Sequence, residues 1–306
     1  MRSARICGIV TVLVLTACSV ESTSEVPVSP IPGSPQVTES ELSSSIPVVE
    51  SATPDLSLTS EPSLTPDPSE PCLERHGRVE SFSISKREQE ITGHIYTPPC
   101  YSGNQDHRYP SLYLLHGATE TDQQWEELGV FDIADKLISS GEIPPLIIIL
   151  PREKSWISLP DNPFGNQLIK DLLTWVDGEY RTSTAREHRA IGGLSRGGNW
   201  AVRLGLLYWG QFGSIGAHST PLFVGDLELL SGWIETIPVS KIPRIYLDIG
   251  RHDKDLTKSS AFEEELIKLK IPHSWHLFPG THNESYWQEH LEEYLLWYSS
   301  GWSELQ

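Results

Sequence analysis

Arg189-Ala190-Ile191-Gly192-Gly193-Leu194-Ser195-Arg196-Gly197-Gly198-Asn199-Trp200-Ala201 sets a serine between two glycines, as Gly193-x-Ser195-x-Gly197. A short apolar run leads in, and a segment able to form a helix, Ala201 to Tyr208, leads out. This is the context of a nucleophile elbow, in which the serine occupies a sharp strand-to-helix turn. The residues two positions either side must lack side chains so that strand and helix can approach. A serine hydroxyl in that position is inert without a base to take its proton. The rest of the chain must therefore supply a carboxylate and then a histidine, each at a strand end.

Working outward from the elbow, strand and helix signals alternate. Val79 to Ser85 and Glu90 to Tyr96 alternate in polarity and read as an antiparallel hairpin joined through Lys86 to Gln89. With residue 85 opposite about 90, residue 100 falls opposite about 75, close to Cys72. Leu112 to Leu115 and Leu146 to Leu150 are continuous apolar runs, as expected of parallel strands buried on both faces. His188 to Gly192, Gly213 to Ala217, Arg244 to Ile249 and Ser274 to Phe278 are further strands. Helices are expected over Phe131 to Ser139, Phe164 to Tyr180, Asp226 to Ile237, Thr257 to Lys270 and Asn283 to Tyr298. The economical topology is an α/β fold, a mostly parallel sheet flanked by helices, with right-handed crossovers and an antiparallel hairpin at its start.

In such a sheet, functional residues collect just beyond the carboxyl ends of the strands. Among the acids, Asp253 follows the strand ending at Gly250 and is preferred, with Asp255 second and Asp248, inside the strand, third. Of the 11 histidines only His282 follows directly on the last strand, after Pro279-Gly280-Thr281. The order Ser195, Asp253, His282 is that of the α/β-hydrolases. His282 would take the serine proton, and Asp253 would fix its tautomer and stabilise the imidazolium. The oxyanion needs backbone N–H donors: Arg196, the residue after the nucleophile, and Ala118 or Gly117 in the turn after Leu115-His116. His116 is expected to shape that turn and not to act as the base. No metal ligand set and no cofactor motif stands out.

The N-terminus reads as an address. Arg2 and Arg5 precede the apolar run Ile6 to Leu15, and Leu15-Thr16-Ala17-Cys18 ends it, so residues 1–17 are expected to be a signal peptide. The last four positions resemble a bacterial lipobox, which implies lipid attachment at Cys18 and a membrane anchor on the cell surface or the periplasmic side. Residues 18–71 form a Pro/Ser/Thr/Glu-rich tether, without Lys, Arg, His or aromatic residues. Such a composition cannot bury enough apolar surface to offset its ordering entropy. The folded domain is residues 72–306. Cys72 and Cys100 are the cysteines left in it, and at the open end of the hairpin of an exported protein they are expected to form a disulfide. A formal charge of -18 argues against nucleic acid or an anionic membrane surface as a partner.

Several segments of the domain resemble the esterase D-like branch of the α/β-hydrolases. They are Tyr96-Thr97-Pro98-Pro99-Cys100-Tyr101, Arg108 through Gly117 with Trp125 following, and Gly141-Glu142-Ile143-Pro144-Pro145. Tyr180-Arg181-Thr182, Gly193-Leu194-Ser195-Arg196-Gly197-Gly198 and Gly280-x-His282 with Trp287 complete the set. That family includes enterochelin, feruloyl and acetyl-xylan esterases, S-formylglutathione hydrolases and mycolyl acyltransferases. The resemblance implies metal-free hydrolysis of a small-molecule or polysaccharide carboxylic ester through an acyl-enzyme on Ser195. Asp253-Lys254-Asp255 leaves the acid ambiguous, and Cys100 stands where a glycine is usual. Trp125, Trp156, Phe164 and Trp287 are candidates for a stacking wall, and His218 for the acyl side of the pocket. An acyltransferase using a sugar hydroxyl in place of water would share every catalytic residue. A surface binding module with a dead site is the reading from another class.

Overall fold

The computed structural model describes residues 72, 76–86, 89–101, 106–154, 159 and 161–303, all within one compact unit. The segments expected to be a signal peptide and a tether, with Cys18, and Trp156 lie outside the described residues.

The hairpin comes first. β1 (Arg78–Lys86) pairs antiparallel with β2 (Gln89–Thr97), with Ser85 opposite Glu90 and Arg78 opposite Thr97. One face of the alternation buries Phe82, Ile84, Ile91 and Ile95. The remaining strands are β3 (Ser111–Leu115), β4 (Ile147–Pro151), β5 (Arg189–Leu194), β6 (Ser214–His218), β7 (Arg244–Gly250) and β8 (Ser274–Phe278). They complete an eight-stranded sheet in the order β1-β2-β4-β3-β5-β6-β7-β8, in which β2 is antiparallel to β4 and every later pair is parallel. Strands β3 to β6 are buried along their whole length, as their continuous apolar character requires of a sheet covered on both faces.

Helices α1 (Gln124–Glu127) and α2 (Val130–Ser139) follow β3. A longer helical run after β4 comprises α3 (Phe164–Gln167), a π turn (Leu168–Leu172) and α4 (Leu173–Glu179). Helix α5 (Arg196–Leu207) leaves the elbow, α6 (Asp226–Glu235) and α7 (Leu256–Lys268) follow β6 and β7, and α8 (Glu284–Glu289) and α9 (Leu291–Ser303) end the chain. Two departures from the sequence pattern are physical. Helix α5 begins at Arg196, five residues before the segment with helix-forming composition. Gly197 and Gly198 are poor helix formers in isolation, but here they are pressed against neighbouring backbone. The expected helix from Asn283 to Tyr298 is broken at His290, whose ring stacks on Phe278 at 4.2 Å between centroids. The break lets α9 turn along the sheet, so that Tyr298 and Trp302 are fully buried.

Cys72 and Cys100 are joined by a disulfide across the hairpin's open end, with 5.2 Å between their Cα atoms. Cys100 has φ of 63°, and Tyr101 N–H donates to the Pro98 carbonyl (3.1 Å). Cys100 thus occupies the third position of a β-turn, where positive φ favours glycine. The bridge closes a 28-residue separation, and loop-closure entropy assigns it about 3.6 kcal/mol. Replacing both cysteines by serine should lower Tm by roughly 7–14 °C. Differential scanning calorimetry showing no shift would remove the bridge from the stability account.

Candidate active site

The elbow is built as its sequence requires. Ser195 has φ 53° and ψ -115°, a conformation non-glycine residues rarely adopt, and this strain turns its side chain out at the end of β5. Its N–H donates to the His218 carbonyl at 2.8 Å, which ties the turn to the end of β6. The flanking glycines are needed for close approach. A Cβ on Gly193 would lie 2.4 Å from the Gly197 carbonyl carbon, and one on Gly197 would lie 2.1 Å from the Leu115 carbonyl oxygen. Gly197 is therefore what lets α5 press against the end of β3.

Three loops meet at Ser195. His282, beyond β8, places Nε2 3.0 Å from Ser195 Oγ. Its Nδ1 lies 3.0 and 2.9 Å from the two carboxylate oxygens of Asp253, beyond β7. The Asp253 side chain is completely shielded from solvent. It also accepts the Asp255 N–H at 2.8 Å and a hydrogen bond from the Ser219 hydroxyl. Burial pushes the Asp253 carboxyl up, but the bonds from His282, Asp255 N–H and Ser219 outweigh burial and leave it below the ordinary carboxylate range. Ser219 Oγ in turn accepts from Trp287 Nε1 at 3.1 Å, and the Trp287 ring meets His282 edge-on with 5.1 Å between centroids.

The three acids separate cleanly. Asp255 spends its carboxylate on Lys254 Nζ at 2.6 Å and Lys258 Nζ at 3.1 Å. Asp248 is buried below the site, where it accepts from His218 Nδ1 (2.6 Å), Tyr286 (2.7 Å) and Tyr294 (2.8 Å). Neither contacts His282. Among the described residues, Asp253, Asp255 and His282 are the group close enough together to share a cation. Their atoms are already engaged with one another, with the lysines and with Ser195.

A cleft of ≈ 420 Å³ opens over Ser195, walled by Thr119, Glu120, Gln124, Lys254, Asn283 and Trp287 among others. Several expected positions move out of this wall. Trp125 is buried, its Nε1 donating to the Leu115 carbonyl at 3.0 Å, so it holds the end of β3 and, unlike its α1 neighbour Gln124, is not on the cleft wall. His218 is fully buried in the Asp248 cluster, with Tyr298 OH 3.0 Å from its Nε2, and cannot line an acyl pocket. Phe164 packs against Trp200 under the loop. Trp287 alone of the described aromatic candidates lines the cleft. Of the two donors expected after β3, Gly117 is spoken for: its N–H donates to Gln124 Oε1 at 2.8 Å. That leaves Ala118, which lines the cleft with Ser195, and Arg196, whose N–H opens α5 and has no partner within the helix.

The sequence pattern leaves one group near the elbow unmarked. Glu153, two residues past β4, is a buried carboxylate. It accepts from Arg196 Nε (2.8 Å) and Nη2 (2.6 Å), from Trp200 Nε1 (2.9 Å) and from Asn162 Nδ2 (2.8 Å). Its position just beyond a strand's carboxyl end is the signal that could have found it.

A parallel-sheet elbow carrying Ser, Asp and His in this chain order defines the α/β-hydrolase fold. Residues 84–298 match the family described as “Putative esterase”, and the chain belongs to it. Esterase Rv1288 of Mycobacterium tuberculosis is 27% identical over 226 residues, which cover 57% of this chain and 48% of that protein. An endo-1,4-beta-xylanase/feruloyl esterase of Xylanibacter ruminicola is 31% identical over 137 residues, 40% of this chain and 19% of that one. The chain thus spans about half or less of the length of these curated relatives. A solved ferulic acid esterase superposes with a TM-score of 0.65 at 24% identity, covering 74% of this chain and all of that one.

Proposed function

We propose that the chain is a serine esterase. The observation that carries this reading is His282 Nε2 3.0 Å from Ser195 Oγ, with Asp253 on the opposite ring nitrogen. Asp253 accepts the Nδ1 proton, which leaves the Nε2 lone pair facing the serine hydroxyl. Ser195 Oγ attacks the ester carbonyl carbon as its proton passes to Nε2, and the carbonyl oxygen becomes an oxyanion received by the N–H groups of Arg196 and Ala118. The imidazolium then protonates the departing alcohol, which leaves an acyl group on Ser195. Water, activated by the same imidazole, releases the acid and restores the hydroxyl.

An ester of an aromatic or small acyl group with a sugar-like alcohol is the substrate this reading favours. Trp287 supplies an apolar wall beside His282, and Thr119, Gln124 and Asn283 supply hydrogen-bonding groups for a polyol. The relatives named as feruloyl and ferulic acid esterases support the same class. The lipobox-like Leu15-Thr16-Ala17-Cys18 supports an exported, lipid-anchored enzyme. The test is a panel of acetyl, feruloyl and siderophore-type esters run with and without a sugar acceptor. Release of free acid in both arms is expected. Partition of the acyl group onto the acceptor would make the protein an acyltransferase, and failure of a fluorophosphonate to label Ser195 would make the site dead.

A further inference from the structure

His116 is buried, and both ring nitrogens are committed. Nε2 faces the Glu153 N–H at 3.0 Å and must accept; Nδ1 faces the Gly117 carbonyl at 2.8 Å and must donate. Those two bonds specify a neutral imidazole with its proton on Nδ1, and burial, which holds the ring's pKa below its ordinary value, favours the same form. The Gly117 carbonyl and the Ala118 N–H belong to one peptide plane. The His116 bond therefore sets the direction in which the Ala118 amide points. In the preceding peptide plane, Gln124 Oε1 takes the Gly117 N–H.

The partner of His116 is the backbone of Glu153, and the carboxylate of Glu153 is the hub that grips Arg196 through two parallel N–H bonds. Arg196 carries the second oxyanion amide on its own backbone. Trp200 and Asn162 occupy the same carboxylate, so Glu153 has four donors. Its neighbours thus leave it no freedom to turn. The chain of contacts runs Ala118 peptide, His116, Glu153, Arg196, and so joins the loop after β3 to the first residue of α5 through the loop after β4.

We propose that Glu153 is a positioning residue that holds the two oxyanion donors, Ala118 and Arg196, at one spacing; this rests on the esterase reading above. Glu153 does not line the cleft over Ser195. A bidentate charged grip fixes Arg196 more narrowly than a neutral partner does, and donors fixed before reaction stabilise the oxyanion without reorganising when it forms. The effect should fall on the tetrahedral state and spare ground-state binding.

The test measures Glu153→Gln, Arg196→Met and the double variant with p-nitrophenyl acetate. It also measures inhibition by an alkyl trifluoromethyl ketone, to which Ser195 Oγ adds, placing an oxyanion in the hole. Each single variant should lower kcat about 10–100-fold, less than the 10²–10³ expected for deleting a donor outright. KM should stay within about threefold, the ketone should bind more weakly by the factor lost in kcat/KM, and the double variant should be no worse than the weaker single. Ketone affinity unchanged while Tm falls, or losses that multiply in the double variant, would overturn the proposal. If Glu153→Gln does not fold, Arg196→Met decides: its side chain is partly exposed, and unchanged ketone affinity overturns the coupling. Wild-type protein inert to ester and fluorophosphonate alike would instead overturn the esterase reading.

Discussion

Ser195→Ala should abolish turnover, lowering kcat by about 10⁶-fold on the scale of nucleophile removal in serine hydrolases. It should also end fluorophosphonate labelling while leaving Tm nearly unchanged. The size of the effect follows from the geometry. Among the described residues, the hydroxyl hydrogen-bonded to His282 Nε2 is that of Ser195, at 3.0 Å. The other hydroxyl on the cleft wall, Thr119, is hydrogen-bonded to its neighbour Glu120 and not to the histidine, so it cannot inherit the role. The fold tolerates the change because the backbone at position 195 is held by its N–H on the His218 carbonyl, and alanine keeps that bond. Alanine meets the same positive-φ strain as serine and adds no volume. An Ser195→Ala protein that keeps more than about 1% of wild-type kcat/KM, or that still takes the probe, would transfer the nucleophile's role elsewhere.

Why was so much of this site legible in sequence? The signals that survive without coordinates are those tied to chain order and strand ends. Gly193-x-Ser195-x-Gly197 encodes a backbone close approach, so its glycines announce the turn wherever the rest of the chain goes. Asp253 and His282 each follow a strand at once, and a parallel sheet brings all such positions to one edge. What was not legible depends on side-chain direction and on which polar groups are already satisfied. Trp125 and His218 lie at the right edge of the sheet but are buried in the interior, where their rings meet and Tyr294 and Tyr298 of α9 pack on His218. Gly117 has an amide in the right turn, yet the Gln124 side chain consumes it seven residues later. Glu153 precedes the nucleophile in the chain, so the expected Ser-Asp-His order gave no reason to weigh it. The late start expected for α5 failed because helix propensity is local, whereas Gly197 and Gly198 are held helical by contacts with Leu115, Gly193 and Thr220.

Asp253→Asn should lower kcat by about 10⁴-fold, and Asp255→Asn by less than about threefold. The Asp255 N–H donates to Asp253 Oδ1, which holds the carbonyl oxygen of an asparagine there and places the amide nitrogen at the Oδ2 position, the nearer of the two to His282 Nδ1 (2.9 against 3.0 Å). A donor then faces the nitrogen that should be donating. The imidazole responds by carrying its proton on Nε2, and it can no longer accept from Ser195. The negative charge that stabilises the imidazolium is lost as well. Asp255 has no such leverage, because its carboxylate is spent on Lys254 and Lys258, whose side chains are largely exposed. The backbone N–H that steadies Asp253 survives its replacement. The lowered pKa of Asp253 adds a second readout with a definite sign. A carboxyl held below its unfolded value contributes stability above about pH 3.9, and this is lost as the pH falls through the folded value. Asp253→Asn should therefore flatten the acid limb of the Tm-against-pH curve in that window. A variant pair in which Asp255→Asn loses the larger part of kcat would move the orienting carboxylate by two residues, and an unchanged acid limb in Asp253→Asn would detach Asp253 from the hydrogen bonds that lower its pKa.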